Sequence, residues 1–176
     1  LVSFCMSTYK RPVMLREQLQ RILQQKYDHF EIVISDNDTD ESGRVIAEEF
    51  ADPRIRYFAN GSNIGMVESF NNSIWKSTGE YIVMIADDDP VYPDMIEVLM
   101  DARDKHPGYG VYAGCGDWIV ETEDAARSLN EKVGTKSTLL ADHAPGSIIV
   151  TERNEFPVKY LNGLFRHTFL LWNCCM

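Results

Sequence analysis

The sequence is short of the residues that would make a disulfide scaffold, a membrane protein or a nucleic-acid binder. Four cysteines are spread over 176 residues: Cys5 and Cys115 stand alone, and Cys174 and Cys175 are adjacent. That spacing supports neither a disulfide framework nor a zinc site, and it favours buried thiols in a reducing compartment. No apolar run approaches the ~18 residues a membrane span needs, and no signal-peptide pattern is visible at the start. Eleven glycines and seven prolines are too few for a fibrous or low-complexity chain. Basic residues are in the minority, with 17 Lys+Arg against 27 Asp+Glu and a formal net charge of -10. That balance argues against phosphate-backbone binding, so no nucleic-acid partner is expected. No G-x-G-x-x-G or G-x-x-x-x-G-K-[ST] follows a strand-like segment, which counts against dinucleotide and P-loop sites.

What is present is an ordinary globular composition, 44% hydrophobic and 25% charged, long enough for one domain with a real core. The first hundred residues alternate strand and helix. Leu1–Met6 reads as a strand, and Pro12 opens a helix with Leu15, Leu19, Ile22 and Leu23 at helical spacing. Glu31–Ser35 has the β-branched profile of a buried parallel strand. Thr39 or Asp40 would cap a helix carrying Val45, Ile46 and Phe50. Arg54–Ala59 is a third strand. Asn63 would cap a helix with Ile64, Val67, Phe70, Asn71 and Ile74, ended by Gly79. Tyr81–Ile85 is a fourth strand, and Pro93 starts a helix presenting Ile96, Leu99 and Met100. The alternation predicts an α/β fold, a mainly parallel sheet with helices on both faces. Beyond Gly110 the pattern loosens, and residues 122–150 carry no readable period. Both ends read as cut, the first directly on a strand and the last on an apolar run.

In an open parallel sheet, ligands sit beyond the carboxyl ends of the strands. Ser7-Thr8-Tyr9-Lys10-Arg11 follows the first strand, Asp36-Asn37-Asp38-Thr39-Asp40 the second, and Asp87-Asp88-Asp89 the fourth. Crowded carboxylates are unfavourable without a compensating positive charge. Hard oxygen ligands suit Mg²⁺ or Mn²⁺, which keep positions open for substrate phosphates. A solvated turn capping the Pro93 helix near Asp94 would need only one carboxylate. Asp36 could cap the following helix or accept a nucleobase ring N–H. Tyr9 could stack on that base or be half-buried packing. Lys10 and Arg11 are either a solvated pair or an approach to a diphosphate. His29 and His106 read as solvated residues at helix ends or turns, His143 lies in a loop without a readable period, and Glu123-Asp124 reads as surface. Arg166-His167 is either a surface pair or an approach to donor phosphates, and Trp118 and Trp172 are either core packing or walls of a sugar pocket.

These residues carry a resemblance. Ser7-Thr8-Tyr9-Lys10-Arg11-Pro12 resembles a P-T-Y-N-R stretch. Glu31 to Asp40, with Gln24-Gln25 upstream, resembles S-L-x-Q…E-I-I-V-V-D-D-G-S-T-D. Asn63-Ile64-Gly65 resembles N-x-G, and Gly79-Glu80-Tyr81-Ile82 with Asp87-Asp88-Asp89 and Pro93-Asp94 resembles G-E-Y-I…D-A-D-D-x-x-x-P-D. Together, over residues 1 to about 120, they are similar to the N-terminal portion of family-two inverting glycosyltransferases of the GT-A fold. The S-D-N and D-D-D forms are similar to the bacterial O-antigen and capsule branch. Departures are Ser7 for Pro, Ser35 and Ala86 for the first Asp of their motifs, and Ser69-Phe70-Asn71 for A-R-N.

The resemblance implies a single Rossmann-like GT-A domain over 1–176, with a nucleotide-sugar half at 1–106 and the start of an acceptor-side half at 107–176. It implies sugar transfer with inversion from a nucleotide-diphospho-sugar, a UDP-sugar above others, to a glycan or lipid-linked acceptor in cell-surface polysaccharide biosynthesis. Ser7, Thr8, Tyr9, Arg11, Asp36 and Asp87 would bind the donor, with Asp36 on the base and Asp87 near ribose or diphosphate. Asp88, five residues before Pro93, and Asp89 would hold Mn²⁺ or Mg²⁺. The catalytic base is expected beyond Met176, so this chain is expected to bind donor yet transfer sugar poorly. The site of action would be cytoplasmic, with peripheral membrane association of the full-length protein. Two rival classes are a metal-dependent phosphohydrolase, because Asp36-Asn37-Asp38 mimics a D-x-D-x-T nucleophile motif, and a non-catalytic nucleotide-sugar-binding module.

Overall fold

The computed structural model describes residues 1–112. The readings made for Cys115, Trp118, Glu123-Asp124, His143, Arg166-His167, Trp172, Cys174 and Cys175 lie outside them. Within the described residues the chain runs β1 (Val2–Thr8), α1 (Pro12–Ile22), β2 (Phe30–Asp36), α2 (Ser42–Phe50), β3 (Ile55–Ala59), α3 (Met66–Lys76), β4 (Tyr81–Ala86) and α4 (Met95–Lys105). The strands form one parallel sheet in the order β3-β2-β1-β4. Strand then helix then parallel strand is the connection such a sheet requires. The order sets β1 between β2 and β4, whose end carries the aspartates.

Alternation along the strands divides the sheet into two unlike faces. Val2, Phe4 and Met6 of β1 pack with Phe30, Ile32 and Ile34 of β2 and Val83 and Ile85 of β4, all buried. Leu15, Leu19 and Ile22 of α1, Ile46 and Ala47 of α2, and Ile96, Leu99 and Met100 of α4 belong to the same core. Each fully buried aliphatic there contributes roughly 1.5–3 kcal/mol. The opposite face meets α3 through small polar groups. The Cys5 thiol reaches the Ser73 carbonyl at 3.7 Å, and Ser7 Oγ donates to Ser69 Oγ at 2.7 Å. Burial pushes the Cys5 thiol up to about 11, so it is an inert packing group.

That polar interface explains where hydropathy misleads. On α3 the buried residues are Ser69, Phe70 and Ser73, while Val67 is 65% and Ile64 39% exposed. Val45 of α2 is also exposed. The helix starts differ from expectation for a common reason: acidic and amide side chains form local turns one step ahead of the helix. Asp38, not Thr39 or Asp40, supplies the turn before α2, its Oδ1 accepting the Asp40 amide at 3.2 Å. The Ser42 hydroxyl holds the Asp38 carboxyl below its ordinary range. Glu41 occupies the N-cap position in a left-handed conformation, without a side-chain cap bond. Asn63 Oδ1 accepts the Gly65 amide at 3.0 Å, and Gly65, at φ 87°, is the N-cap residue of α3. That backbone geometry is one that glycine adopts without strain. Pro93 precedes α4, which begins at Met95 after Asp94. Pro12 does open α1. No helix among the described residues is long and apolar enough to cross a membrane.

Candidate functional site

Register places Thr8 beside Asp36, and Ser7 between Ser35 and Ala86, so the carboxyl ends of β1, β2 and β4 finish level. Beyond them lies a cleft of about 560 Å³, within the size range of small-molecule sites. Ser7, Thr8, Tyr9 and Arg11 line it from β1, Ala86 and Asp87–Asp89 from β4, and Asn37, Asn63, Gly65, Met66 and Phe70 from the β2 end and α3. Seven of the eight residues expected from the sequence therefore share one cleft; Asp36 does not line it.

Asp87 and Arg11 are its electrostatic centre. Asp87 is 5% exposed. Its Oδ2 accepts from Thr8 Oγ1 at 2.8 Å and its Oδ1 from Arg11 Nη1 at 3.1 Å. Burial raises the Asp87 carboxyl above its ordinary value, and Thr8 and Arg11 oppose that rise. The same Arg11 nitrogen donates to Asp88 Oδ2 at 2.8 Å. Asp87 and then Asp88 raise the Arg11 guanidinium in turn. The chain reaches this arrangement because Lys10 turns through a left-handed φ of 57° after β1, uncommon for a residue with a side chain. That turn leaves Arg11 at the N-cap of α1, facing the β4 loop.

The aspartate loop is held from below by Gln18, which the Leu15–Leu19–Ile22 face of α1 carries into the core. Its Nε2 donates to the Ala86 carbonyl at 3.2 Å and the Asp89 carbonyl at 2.7 Å. Gln25 does the same for the α4 start, donating to the Tyr92 carbonyl at 2.6 Å and accepting the Ile96 amide at 3.1 Å. Gln18 interrupts the apolar stripe of α1, and that interruption is the signal by which a sequence reading could find it; Gln25 lies beyond the end of the helix and carries no such signal.

Asp36 sits beneath the cleft, fully buried. Its Oδ2 accepts from Tyr57 Oη at 2.7 Å and the Gly43 amide at 3.1 Å, and its Oδ1 from the Asp38 amide at 2.8 Å. A Cβ at Gly43 would lie 2.6 Å from Asp36 Oδ2, so glycine permits this approach. The carboxylate in turn raises the Tyr57 phenol, second to burial. The neighbouring Asn37 does face the cleft. It donates to the Gly65 carbonyl at 3.1 Å and accepts from Asn60 Nδ2 at 2.8 Å, joining the β2, β3 and α3 ends. Tyr9 is 43% exposed, with Lys10 Nζ 5.5 Å from its ring centroid.

Among the described residues no three His, Cys, Asp or Glu side chains form a metal cage. The donor set fits an ion of another kind. Asp88 is half exposed and already faces a cation, the Arg11 guanidinium. One or two carboxylates at the mouth of a cleft suit Mg²⁺ or Mn²⁺ whose remaining ligands are water and substrate oxygens.

Comparison with known proteins identifies the fold and the family. A beta-1,3-glucosyltransferase of Campylobacter jejuni, named for a GalNAc(5)-diNAcBac-PP-undecaprenol substrate, is 26% identical over 93% of this chain and 55% of its own. The putative colanic acid biosynthesis glycosyl transferase WcaA of Escherichia coli is 31% identical over 57% of this chain and 37% of its own. The putative glycosyltransferase EpsE of Bacillus subtilis is 29% identical over 62% and 41%. The chain thus spans about half or less of the length of these relatives. Among solved structures, S. aureus TarS 1-349 in complex with UDP-GlcNAc superposes with a TM-score of 0.58 at 18% identity, over 68% of this chain and 37% of that one. Mannosyltransferase PcManGT from Pyrobaculum calidifontis, in complex with GDP-Man and Mn2+, superposes at 0.57 and 22% identity, over 66% and 35%. These likenesses establish a GT-A fold. The glycosyl transferase family 2 pattern matches residues 3–167, and the chain belongs to that family.

Proposed function

We propose that the chain carries the donor site of a glycosyltransferase that moves a sugar, with inversion, from a UDP-sugar to an acceptor hydroxyl in cell-surface polysaccharide biosynthesis. The observation that carries this reading is the Thr8–Asp87–Arg11–Asp88 cluster, set at the carboxyl edge of a parallel sheet beside an aromatic face. Relatives named for polysaccharide and undecaprenol-linked products support the pathway class. Their names also fit a glycan or lipid-linked acceptor, which a cytoplasmic protein would meet at the membrane face.

Each residue has a part. Tyr9 offers its exposed ring to the base. Asp36, whose Oδ1 holds only the Asp38 amide, lies buried beneath the cleft and would receive a base ring N–H only once the base entered deeply enough to reach it. Full burial beneath the cleft leaves its carboxylate no open line of attack on a phosphate in the cleft, which speaks against the phosphohydrolase class. Ser7 and Thr8 border the nucleotide, and Asp87 fixes Thr8 and Arg11 beside the diphosphate. Asp88, with Asp89, would hold Mn²⁺ or Mg²⁺. When bound there, such an ion neutralises charge on the departing diphosphate. Arg11, the one cation of the cluster, donates its guanidinium hydrogens to phosphate oxygens. A carboxylate outside the described residues would take the acceptor's proton from the opposite side of the sugar.

The cleft is predicted to select the diphosphate. In titration calorimetry with Mn²⁺ present, UDP should bind at least about tenfold more tightly than UMP, because only the second phosphate reaches the cation cluster. Equal affinity for UDP and UMP would refute the assignment.

A further inference from the structure

We propose that Arg11 is a built-in counter-cation of the Asp87–Asp88 pair, displaced when a divalent ion binds and received by the donor diphosphate, so that metal and nucleotide bind cooperatively. This rests on the metal-assisted donor site proposed above. One guanidinium nitrogen, Nη1, stands 3.1 Å from Asp87 Oδ1 and 2.8 Å from Asp88 Oδ2. It therefore ties Asp88, a carboxylate that would hold the ion, to the buried Asp87. Among the described residues these are the only ion pairs Arg11 makes.

The two ends of the bridge are unlike, which is what makes exchange possible. Asp87 has a side chain only 4% exposed, and a buried carboxylate needs a positive partner at all times. Asp88 and Arg11 are 48% and 49% exposed, on the cleft side, where water can replace either partner. Two formal negative charges face a single positive one, so the resting cluster is left one unit negative. A divalent ion held at Asp88 would more than supply that missing charge, but it cannot share the Asp88 carboxylate edge with a guanidinium of like charge.

Release of Arg11 is unfavourable unless the guanidinium finds another anion. Arg11 is the N-cap residue of α1, followed directly by Pro12, so its backbone is fixed and only the side chain can swing. The cleft it faces is where the diphosphate would lie, and the guanidinium fork matches phosphate oxygens. Metal without nucleotide must therefore bind weakly, and metal with nucleotide strongly. Linkage makes the effect reciprocal, with nucleotide binding strengthened by metal to the same degree.

The test is Mn²⁺ binding followed by the electron paramagnetic resonance of free Mn²⁺, with and without UDP, in the wild-type chain, Arg11→Gln and Asp88→Asn. Matching far-UV circular dichroism of the three proteins establishes that the variants fold. UDP should tighten Mn²⁺ binding to the wild type by about tenfold or more, within the usual range of coupling between sites. In Arg11→Gln, Mn²⁺ alone should bind about three- to tenfold more tightly, while the gain on adding UDP shrinks below about threefold. Mn²⁺ affinity that is unchanged or lowered in Arg11→Gln would overturn the exchange. If Asp88→Asn loses Mn²⁺ in the same experiment, the donor-site reading survives that result. If Asp88→Asn leaves Mn²⁺ affinity unchanged, both proposals fall together.

Discussion

At the scale of single residues, the molecule uses buried carboxylates as anchors at both ends of its sheet. At the end opposite the cleft, Glu31 Oε1 accepts from Ser3 Oγ at 2.7 Å, the Thr78 amide at 2.5 Å and Thr78 Oγ1 at 2.9 Å. Its Oε2 takes Arg56 Nη1 at 2.6 Å. Burial alone would raise this carboxyl, but the four donors prevail and hold it at about 2. A folded-state value below the unfolded one means that stability is fully present above about pH 4.5 and is lost as pH falls toward 2. Glu31→Gln should therefore cost about 3 kcal/mol at pH 7 and flatten the acid limb of stability, as measured by urea midpoints from pH 7 to 3. An unchanged acid limb would show that Glu31 is not its source. Glu31 and Asp36 were legible as residues, because each stands at one end of an apolar strand. Their partners were not: Thr78 and Tyr57 lie far along the chain from them, and only the fold brings them near.

At the scale of elements, helices α1 and α3 do different work on the two faces, and the sequence displays one better than the other. The α1 stripe of Leu15, Leu19 and Ile22 is plain from spacing, and the apolar core it enters follows from that pattern. Helix α3 packs by Ser69 and Ser73 against Ser7, Ser35 and Cys5, so its exposed Val67 gives a false direction. Small polar residues carry little hydropathy, and their hydrogen bonds across a tight interface leave no periodic signal. Gln18 belongs at this scale too, since it fastens α1 to the loop that carries the aspartates. Among the described residues its buried Oε1 has no partner, so replacing it with leucine removes an unsatisfied acceptor along with two donated bonds. Gln18→Leu should change unfolding free energy by no more than about 1 kcal/mol, yet weaken UDP binding several-fold by loosening the loop. Unaltered UDP affinity in a well-folded Gln18→Leu protein would mean that the loop keeps its place without α1.

At the scale of the whole molecule, the described part of the chain is a scaffold that brings three strand ends into one cleft. The topology explains why residues as distant as Thr8, Asn37 and Asp87 meet there, and the sheet order could be anticipated only through family resemblance. The excess of acidic residues is most informative at Asp87 and Asp88, where one guanidinium answers two carboxylates. This edge should bind a nucleotide diphosphate with the help of a divalent ion. Calorimetric titration of UDP into the wild type with Mn²⁺, into the wild type with EDTA, and into Asp88→Asn with Mn²⁺ tests that directly. Tight binding is expected only in the first case, with affinity lowered about tenfold or more in the other two. Equal affinity in all three would contradict it.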